Sequence, residues 1–239
     1  MNYLYLLPLF LLSACVQQPK IIAGKGAVYG VLSADAHPAF KNKIQNATND
    51  TASAYGDSTY NEINYKNNMV NYPSLKALYV GLVTPDHSPQ SHHLSVNPQG
   101  ISPYSLALSP DDTLHIHNKT PNTQHFFITA TLGKEGFQSF PALKAGEKAG
   151  FTVKLEGNLD LLSSDNDKLK VHLFPKKNMQ SKPLSSGQSY QFELLNPGDY
   201  QLIFWYWRLG KIQQHIHINA EENRQVNQVL TVKSVMQAD

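Results

Sequence analysis

The sequence of 239 residues contains a single cysteine, Cys15, so the chain cannot close an internal disulfide. Charged residues make up only 16% of it and the net charge is +2, which argues against nucleic acid as a partner and against strong attraction to anionic surfaces. Beyond the N-terminus, no apolar run is long enough to span a bilayer. The chain has no glycine-rich phosphate loop, no HExxH motif and no segment with the 3.6-residue apolar periodicity of a helix. These absences exclude a disulfide-stabilised scaffold and leave no catalytic residue to assign.

The N-terminus has the features of an export signal. Residues 3–12 form an apolar run, too short for a membrane-spanning helix but suited to a signal-peptide core, although no Lys or Arg precedes it. The run ends in LSAC at residues 12–15, which resembles the bacterial lipoprotein signal box. The resemblance implies a signal peptide over residues 1–14 and a diacylglycerol and an acyl chain such as palmitate on Cys15. The alternative is a plain secretory signal with an incidental cysteine. Because Val16 stands where an Asp would resemble the inner-membrane retention signal, we expect an outer-membrane lipoprotein that faces the periplasm.

Short segments rich in β-branched and aromatic residues, separated by Pro, Gly and Asp or Asn, predict an all-β protein built as β-sandwiches. The predicted strands are 27–32, 76–83, 104–108, 113–117, 125–132, 148–155, 168–174, 189–195, 200–207, 211–219 and 225–233. Residues 15–25 are predicted to be a tether. Residues 35–74 are poor in aliphatic side chains and predict a mobile insertion.

The central part of the chain carries an ordered set of short motifs. ISP at residues 101–103 is followed by the alternating segment LHIHN at 114–118 and by QHFF at 124–127. This order resembles the cupredoxin-like module of methylamine-utilisation-type proteins. The resemblance implies a Greek-key β-sandwich over residues 95–178, with His125 at the position of the first copper ligand. Without the resemblance, the same residues predict a Greek-key sandwich of no particular family.

In that family the closing hairpin supplies a Cys, a His and a Met. These positions correspond here to Ser163, Asn166 and Leu169. A blue-copper site needs a thiolate together with two imidazoles, and a serine hydroxyl stays protonated and is a poor ligand for a soft metal. The resemblance therefore implies a cupredoxin scaffold without copper, and no metal cofactor is expected.

The C-terminal part contains a more specific signal. LNPGDYQL at residues 195–202 resembles the PG-x-Y-x-L hairpin of transthyretin-like and carboxypeptidase regulatory-like domains. The strand that follows matches the family's Val-Trp-His-Pro-Arg-Leu ending at Trp205, Arg208 and Leu209. The resemblance implies a second, Ig-like sandwich formed from residues 26–85 and 186–235, with the cupredoxin-like part between them in sequence. Two tandem modules fit the predicted strands equally well.

Two pairs of histidines have the spacing of metal ligands on a strand. His115 and His117 share one face of a predicted strand, and His215 and His217 share one face of another, so each pair could bind Zn²⁺ or Cu²⁺. Because apolar residues alternate with them, we expect both pairs to point to solvent as ordinary exposed side chains. The neighbouring pair His92-His93 is predicted to lie in a loop between prolines.

The segment IFWYW, residues 203–207, is apolar on both faces of its predicted strand. It predicts a strand buried on both sides at a contact between modules, or else an aromatic surface for a partner. We expect Trp205 to be buried. Trp207 stands where the family has proline, and it remains a candidate for partner contact.

Three functions remain open. The main prediction is a non-enzymatic lipoprotein that binds another, unidentified envelope protein or assembly, with Trp205, Trp207 and Arg208 as candidate contact residues. The second is a periplasmic copper or zinc carrier that uses the surface histidines and His125. The third is carbohydrate or cell-wall binding through the stretch from Trp205 through Tyr206 to Trp207.

Overall fold

The structure is a computed structural model that describes residues 18–36, 63–64, 69–130 and 136–231. Throughout these ranges the chain folds into short β-strands. Within these ranges there are nineteen strands and one 3₁₀ turn, Tyr72–Ser74, which confirms the predicted all-β fold class. None of the described residues belongs to a helix long and apolar enough to cross a membrane. The strands are β1 Gly26–Ala34, β2 Ile63–Asn64, β3 Met69–Val70, β4 Leu78–Val83, β5 Ser91–Asn97, β6 Gly100–Ser102, β7 Ser105–Leu108, β8 Thr113–Asn118, β9 Phe126–Ala130, β10 Phe137–Ser139, β11 Lys148–Thr152, β12 Leu159–Ser163, β13 Lys170–Pro175, β14 Met179–Leu184, β15 Gln188–Leu195, β16 Gly198–Tyr206, β17 Gly210–Ile218, β18 Asn223–Gln225 and β19 Gln228–Leu230.

Several predictions concern residues outside the described ranges. The signal peptide over 1–14 and the lipidated Cys15 belong to this group, as does most of the insertion over 35–74. Of that insertion the structure describes the short antiparallel pair β2–β3 and the turn that follows it.

Four larger sheets build the molecule. The outer sheet has the order β15-β1-β18, with β19 also paired to β1, and the central sheet has the order β14-β4-β16-β17. The five-stranded sheet has the order β10-β9-β12-β13-β7, and the distal sheet has the order β11-β8-β5-β6. N-terminal strands thus pair with C-terminal ones: β1 with β15, β18 and β19, and β4 with β14 and β16.

The central sheet is buried on both faces, which explains the two-sided apolar pattern of residues 203–207. Leu202 and Phe204 of β16 point into a core shared with the outer sheet. The alternate residues Ile203 and Trp205 point into a second core. Because successive side chains of a strand lie on opposite faces, one strand can serve two cores only if it is apolar throughout.

The second core lies between the five-stranded and distal sheets, which form the distal sandwich. Side chains of both sheets, such as Ile116 of β8 and Val171 of β13, belong to one buried cluster. The distal sandwich begins at β5, before the predicted boundary at residue 95, and β14 joins the central sheet although it precedes the predicted boundary at 186.

Side-chain hydroxyls join the distal sandwich to the central sheet. Strand β7 is the edge of the five-stranded sheet, and its outer carbonyl groups are not paired with another described strand. Tyr79 Oη donates to the carbonyl of Ser105 at 2.7 Å, and Ser181 Oγ donates to the carbonyl of Ala107 at 2.6 Å. These two bonds satisfy buried backbone acceptors, so the distal sandwich and the central sheet form a continuous interface.

The predicted tether over residues 15–25 is shorter than expected. Pro19 is buried, and its carbonyl accepts a hydrogen bond from Asn223 Nδ2 at 2.6 Å. From Pro19 onward the segment is therefore part of the folded body.

Candidate functional site

The hairpin between β12 and β13 brings the predicted copper positions together at one end of the distal sandwich. His125 immediately precedes β9, and its carbonyl accepts a hydrogen bond from the Ser164 amide at 3.0 Å. The His125 side chain is 56% exposed, and its Nδ1 lies 2.9 Å from Asp165 Oδ2. The same Asp165 oxygen accepts the backbone N–H of His125 at 2.6 Å. These hydrogen bonds lower the pKa of Asp165 and keep its carboxylate ionised beside the imidazole.

Ser163, which the sequence resemblance aligns with a copper thiolate, is used for hydrogen bonding. Its hydroxyl donates to Gln124 Oε1 at 2.8 Å and accepts the backbone N–H of Asp165 at 3.1 Å. Gln124 in turn donates to Thr120 Oγ1 at 3.2 Å. The side chain of Ser163 is thus a member of a buried polar network.

The other two positions stabilise the hairpin. Leu169 is fully buried in the core of the distal sandwich, where its backbone carbonyl accepts the Ser163 N–H. Asn166 closes the turn, because its side-chain oxygen accepts the Lys168 N–H at 3.0 Å and its carbonyl accepts the Leu169 N–H. None of the three side chains is a soft donor, and one of them has no donor atom at all.

The donor set does not fit copper. One exposed imidazole remains from the four positions, and no three His, Cys, Asp or Glu side chains in the described ranges converge so that they could hold a metal ion. A type of site that needs a thiolate and two imidazoles cannot be built from His125, Ser163, Asn166 and Leu169.

Trp205 is a core residue and not a partner contact, so its prediction as a contact residue is wrong. It is 2% exposed, and its indole N–H donates to Asn158 Oδ1 at 3.0 Å. Phe174 stacks on it with ring centroids 5.4 Å apart, and Tyr79 packs against it at 5.7 Å. The ring joins the central sheet to the distal sandwich, as the interpretation of a doubly buried strand requires.

Trp207 lies in the turn after β16 and is half-buried between two side chains. His172 stacks on the indole with centroids 3.9 Å apart and an interplanar angle of 10°. The Arg208 guanidinium carbon lies 4.3 Å from the ring centroid. Groups this close to one ring cannot share a face, so each covers one face of the indole. With Trp205 and Tyr206 buried as well, the stretch offers no free aromatic face to a sugar ring, and the prediction of a carbohydrate platform fails on this geometry.

A buried carboxylate orients the histidine under Trp207. His172 Nδ1 lies 2.7 Å from Asp160 Oδ1, and Lys170 Nζ lies 3.1 Å from the other carboxylate oxygen. Burial acts to raise the pKa of Asp160, but the hydrogen bonds from His172 and Lys170 outweigh it and hold the pKa below its ordinary value. The Asp160–His172 pair therefore fixes the ring on which Trp207 stacks.

The structure exposes one histidine pair to solvent, as predicted, and exposes the other pair less. His215 and His217 on β17 are exposed, and His217 pairs with Asp199 at 2.7 Å. His115 and His117 on β8 are only half-exposed, since β8 lies inside the distal sheet. Desolvation, followed by the charges of neighbouring lysines, lowers the pKa of His117.

The predicted loop at His92-His93 is wrong, because both residues belong to β5, which pairs in parallel with β8. His93 lies opposite His115, and their rings stack with centroids 5.0 Å apart. His92 points the other way and binds the buried Asp112.

Asp112 is the polar centre that sequence reasoning missed. Its side chain is 1% exposed. One oxygen accepts His87 Nε2 at 3.0 Å and the Gln90 N–H at 2.8 Å, and the other accepts His92 Nε2 and the Ser109 N–H, both at 2.8 Å. Burial tends to raise the pKa of Asp112, but these four hydrogen bonds lower it overall. In the sequence, Asp112 follows Ser109-Pro110-Asp111, residue types that are typical of an exposed turn and give no sign of a buried acceptor.

A cleft in the described residues lies where β5 faces β14. It has a volume of about 530 Å³, with Tyr79 and Leu106 among its apolar lining and Gln90, His92 and His93 among its polar lining. No Lys, Arg, Asp or Glu lines it. The cleft lacks the charges that would select an ionic ligand.

No protein family model matches the sequence, and no curated protein matches it. Among solved structures, the chain is similar to the Cu-containing nitrite reductase (NirK) from Thermus scotoductus SA-01, with 14% identity and a TM-score of 0.31. The match covers 38% of this chain and 23% of that one. A match of this extent assigns neither a family nor an activity to the chain.

Proposed function

We propose that this chain is a non-enzymatic lipoprotein of the bacterial outer membrane, which faces the periplasm and uses its β-sandwiches to bind another envelope protein or assembly. The observation that supports the proposal is the use made of the positions that the resemblance aligns with copper ligands. Ser163 and Leu169 are built into a polar network and a core, and this structural use supports a scaffold role over electron transfer. Lipidation of Cys15 supplies the location.

The tip of the β16–β17 hairpin is the surface that fits a protein partner best. Trp207 and Arg208 lie there side by side, both half-exposed, with the guanidinium on the indole. Trp and Arg are the residue types that most often dominate the energy of protein interfaces. The stack on His172 holds the indole in place before binding, which lowers the entropy cost of association.

A crosslinking pull-down from membranes tests this surface. Arg208→Ala removes the guanidinium from the pair and leaves the buried aromatic residues intact. We expect it to reduce recovery of the crosslinked partner about tenfold or more, the range for loss of an interface hot spot. Arg224→Ala is the matched control, because this arginine lies on β18 and binds the carbonyl of His217.

Two outcomes would count against the proposal. Equal recovery by Arg208→Ala and Arg224→Ala would remove the hairpin tip as the contact surface. A chain that yields no specific crosslinked protein under any condition would contradict the binding function itself.

Lipidation is tested separately by metabolic labelling with a fatty-acid analogue. The wild-type chain should take up the label and sediment with outer membranes, and Cys15→Ser should do neither. An unlabelled wild-type chain would contradict the anchor.

A further inference from the structure

Three of the five exposed large apolar side chains in the described residues lie at the same end of the outer sheet. Ile21 is 59% exposed, Ile22 is 41% exposed and Leu194 is 58% exposed. Ile22 opens the turn that leads into β1, and β1 starts at Gly26 opposite Leu195, the neighbour of Leu194. Scattered single apolar residues need no explanation, but a cluster on one end marks an interaction surface.

Local backbone geometry turns Leu194 outward. The pairing of β1 with β15 shifts register between Gly26 and Val28, which leaves an extra residue on β15. Leu194 lies in this bulge with φ of 60°, a conformation that a leucine rarely adopts. A strained apolar residue that is also exposed gains nothing from the core, so its position calls for a partner outside the chain.

The segment that carries Ile21 and Ile22 is held firmly against the body. The Ile22 carbonyl accepts the Lys25 N–H at 3.0 Å, and Gly24, with φ of 71°, supplies the left-handed position of this turn. The Lys25 carbonyl accepts the Glu221 N–H at 2.7 Å. The two isoleucines therefore form a fixed surface feature.

The length of chain before this segment limits how far it can be from the lipid. Only three residues separate Cys15 from Pro19, which is buried and bonded to Asn223. Four extended steps span at most about 14 Å. Acyl chains on Cys15 would therefore hold the end that carries Ile21, Ile22 and Leu194 within reach of the lipid headgroups.

Charge at this end is balanced. Lys20 and Lys25 flank the isoleucines, while Glu221 lies beside Lys25 and Asp86 binds Asn196, the acceptor of the Lys25 ammonium group. Attraction to anionic lipid is therefore weak, and apolar insertion is the main driving force.

We propose that this end of the molecule lies on the phospholipid surface, with Ile21, Ile22 and Leu194 in the headgroup region of the bilayer. The lipid surface is chosen over a protein partner because the lipidated residue is only a few residues away. The inference rests on lipidation of Cys15, which is part of the proposed function. It adds a fixed orientation of the folded body on the membrane.

Spin-label depth measurement tests the contact. Because the native chain has one cysteine and it is the lipidated one, an added cysteine is the only free thiol. Nitroxide labels at Ile21→Cys and Leu194→Cys are compared with a label at Phe137→Cys, a 67% exposed site on β10, the strand of the five-stranded sheet farthest from the central sheet. The lipidated protein is reconstituted in vesicles of phosphatidylethanolamine and phosphatidylcholine.

The measured quantity is the ratio of collisions with oxygen to collisions with a water-soluble nickel chelate at each label. We expect this ratio to be several-fold higher at residues 21 and 194 than at residue 137. Adding Ile22→Ser to the Leu194→Cys chain should reduce this preference while fatty-acid labelling stays unchanged. Equal water access at all three labels in a lipidated, vesicle-bound chain would overturn the membrane contact alone. If the wild-type chain carried no fatty acid and failed to float with vesicles, that result would overturn the membrane contact and the lipid anchor together.

Discussion

Replacing Asp112 with Asn should destabilise the distal sandwich, because the carboxylate is an acceptor for four donors and an amide is not. Each carboxylate oxygen accepts two hydrogen bonds, one from an imidazole and one from a backbone N–H. In Asp112→Asn one oxygen becomes an NH₂ group and faces two donors. The imidazole can exchange its tautomer and accept, but the backbone N–H of Gln90 or Ser109 cannot.

The magnitude follows from this count. One buried N–H left without an acceptor costs about 1–3 kcal/mol, and the remaining bonds lose the extra strength that a charged acceptor gives them. We expect Asp112→Asn to lower the free energy of unfolding by about 2–4 kcal/mol at neutral pH. Asp111→Asn, at the exposed neighbouring carboxylate, is the matched control and should stay within about 0.5 kcal/mol of the wild type.

Urea unfolding followed by tryptophan fluorescence measures the difference in the free energy of unfolding between Asp112→Asn and the wild type. The pH dependence of this difference tests its cause. The pKa of Asp112 is lowered in the folded state, so its contribution is present above the unfolded pKa of about 4 and is lost as the pH falls through the folded value. The gap between Asp112→Asn and the wild type should therefore be largest near neutral pH and shrink below about pH 4. Equal stabilities at pH 7, or a gap that widens in acid, would refute the reasoning.

Three further predictions concern the junction, the metal and the second buried carboxylate. Trp205→Ala should cost about 3–5 kcal/mol in thermal or urea unfolding, well above Asn158→Ala, which removes only the hydrogen bond to the indole; similar costs would contradict the central packing role of the ring. The chain from residue 16 onward should retain neither Cu²⁺ nor Zn²⁺ when it is loaded with metal, without an affinity tag, and passed through a gel-filtration column. It should also develop no intense blue colour, because Ser163 supplies no thiolate. Retained metal would favour the carrier function. Asp160→Asn should destabilise the chain by about 1–3 kcal/mol at pH 7, and since the pKa of Asp160 is lowered, the difference should fade below about pH 4; a pH-independent difference would show that the charge on the pair with His172 contributes nothing.

Side-chain periodicity was enough to predict the fold class and most strands. Alternation gave β8 and β17 with their buried isoleucines, and the continuous apolar run at 203–207 indicated burial on both faces. Both signals are local, since each depends only on which face of a strand meets a core. The prediction that Trp205 is buried came from the family resemblance of its strand and not from periodicity.

Long-range pairing was beyond the reach of local patterns. His92 and His93 look like a loop beside prolines, but parallel pairing with β8 makes them a strand. The stack of His172 on Trp207 joins residues far apart in sequence, and it decides that the indole is not a free surface. Burial of Asp112 depends likewise on donors from a distant stretch, residues 87–92, so no spacing rule near Asp112 itself could indicate it.

The hairpin of β16 and β17 extends from the end that we place on the bilayer to the Trp207–Arg208 tip that we propose as the partner contact. Ile218 lies at the start of β1, where an added Cβ on Gly26 would be only 2.3 Å from its Cγ2, and so belongs to the end that we place on the bilayer. Trp207 and Arg208 lie at the other end of the same nine-residue strands. Eight strand steps separate the two ends by about 26 Å. A body fixed by Ile21, Ile22 and a lipid would therefore hold the Trp207–Arg208 tip away from the membrane, where a partner can reach it. If a short crosslinker attached at Arg208→Cys captured phospholipid in place of protein, this orientation would be wrong.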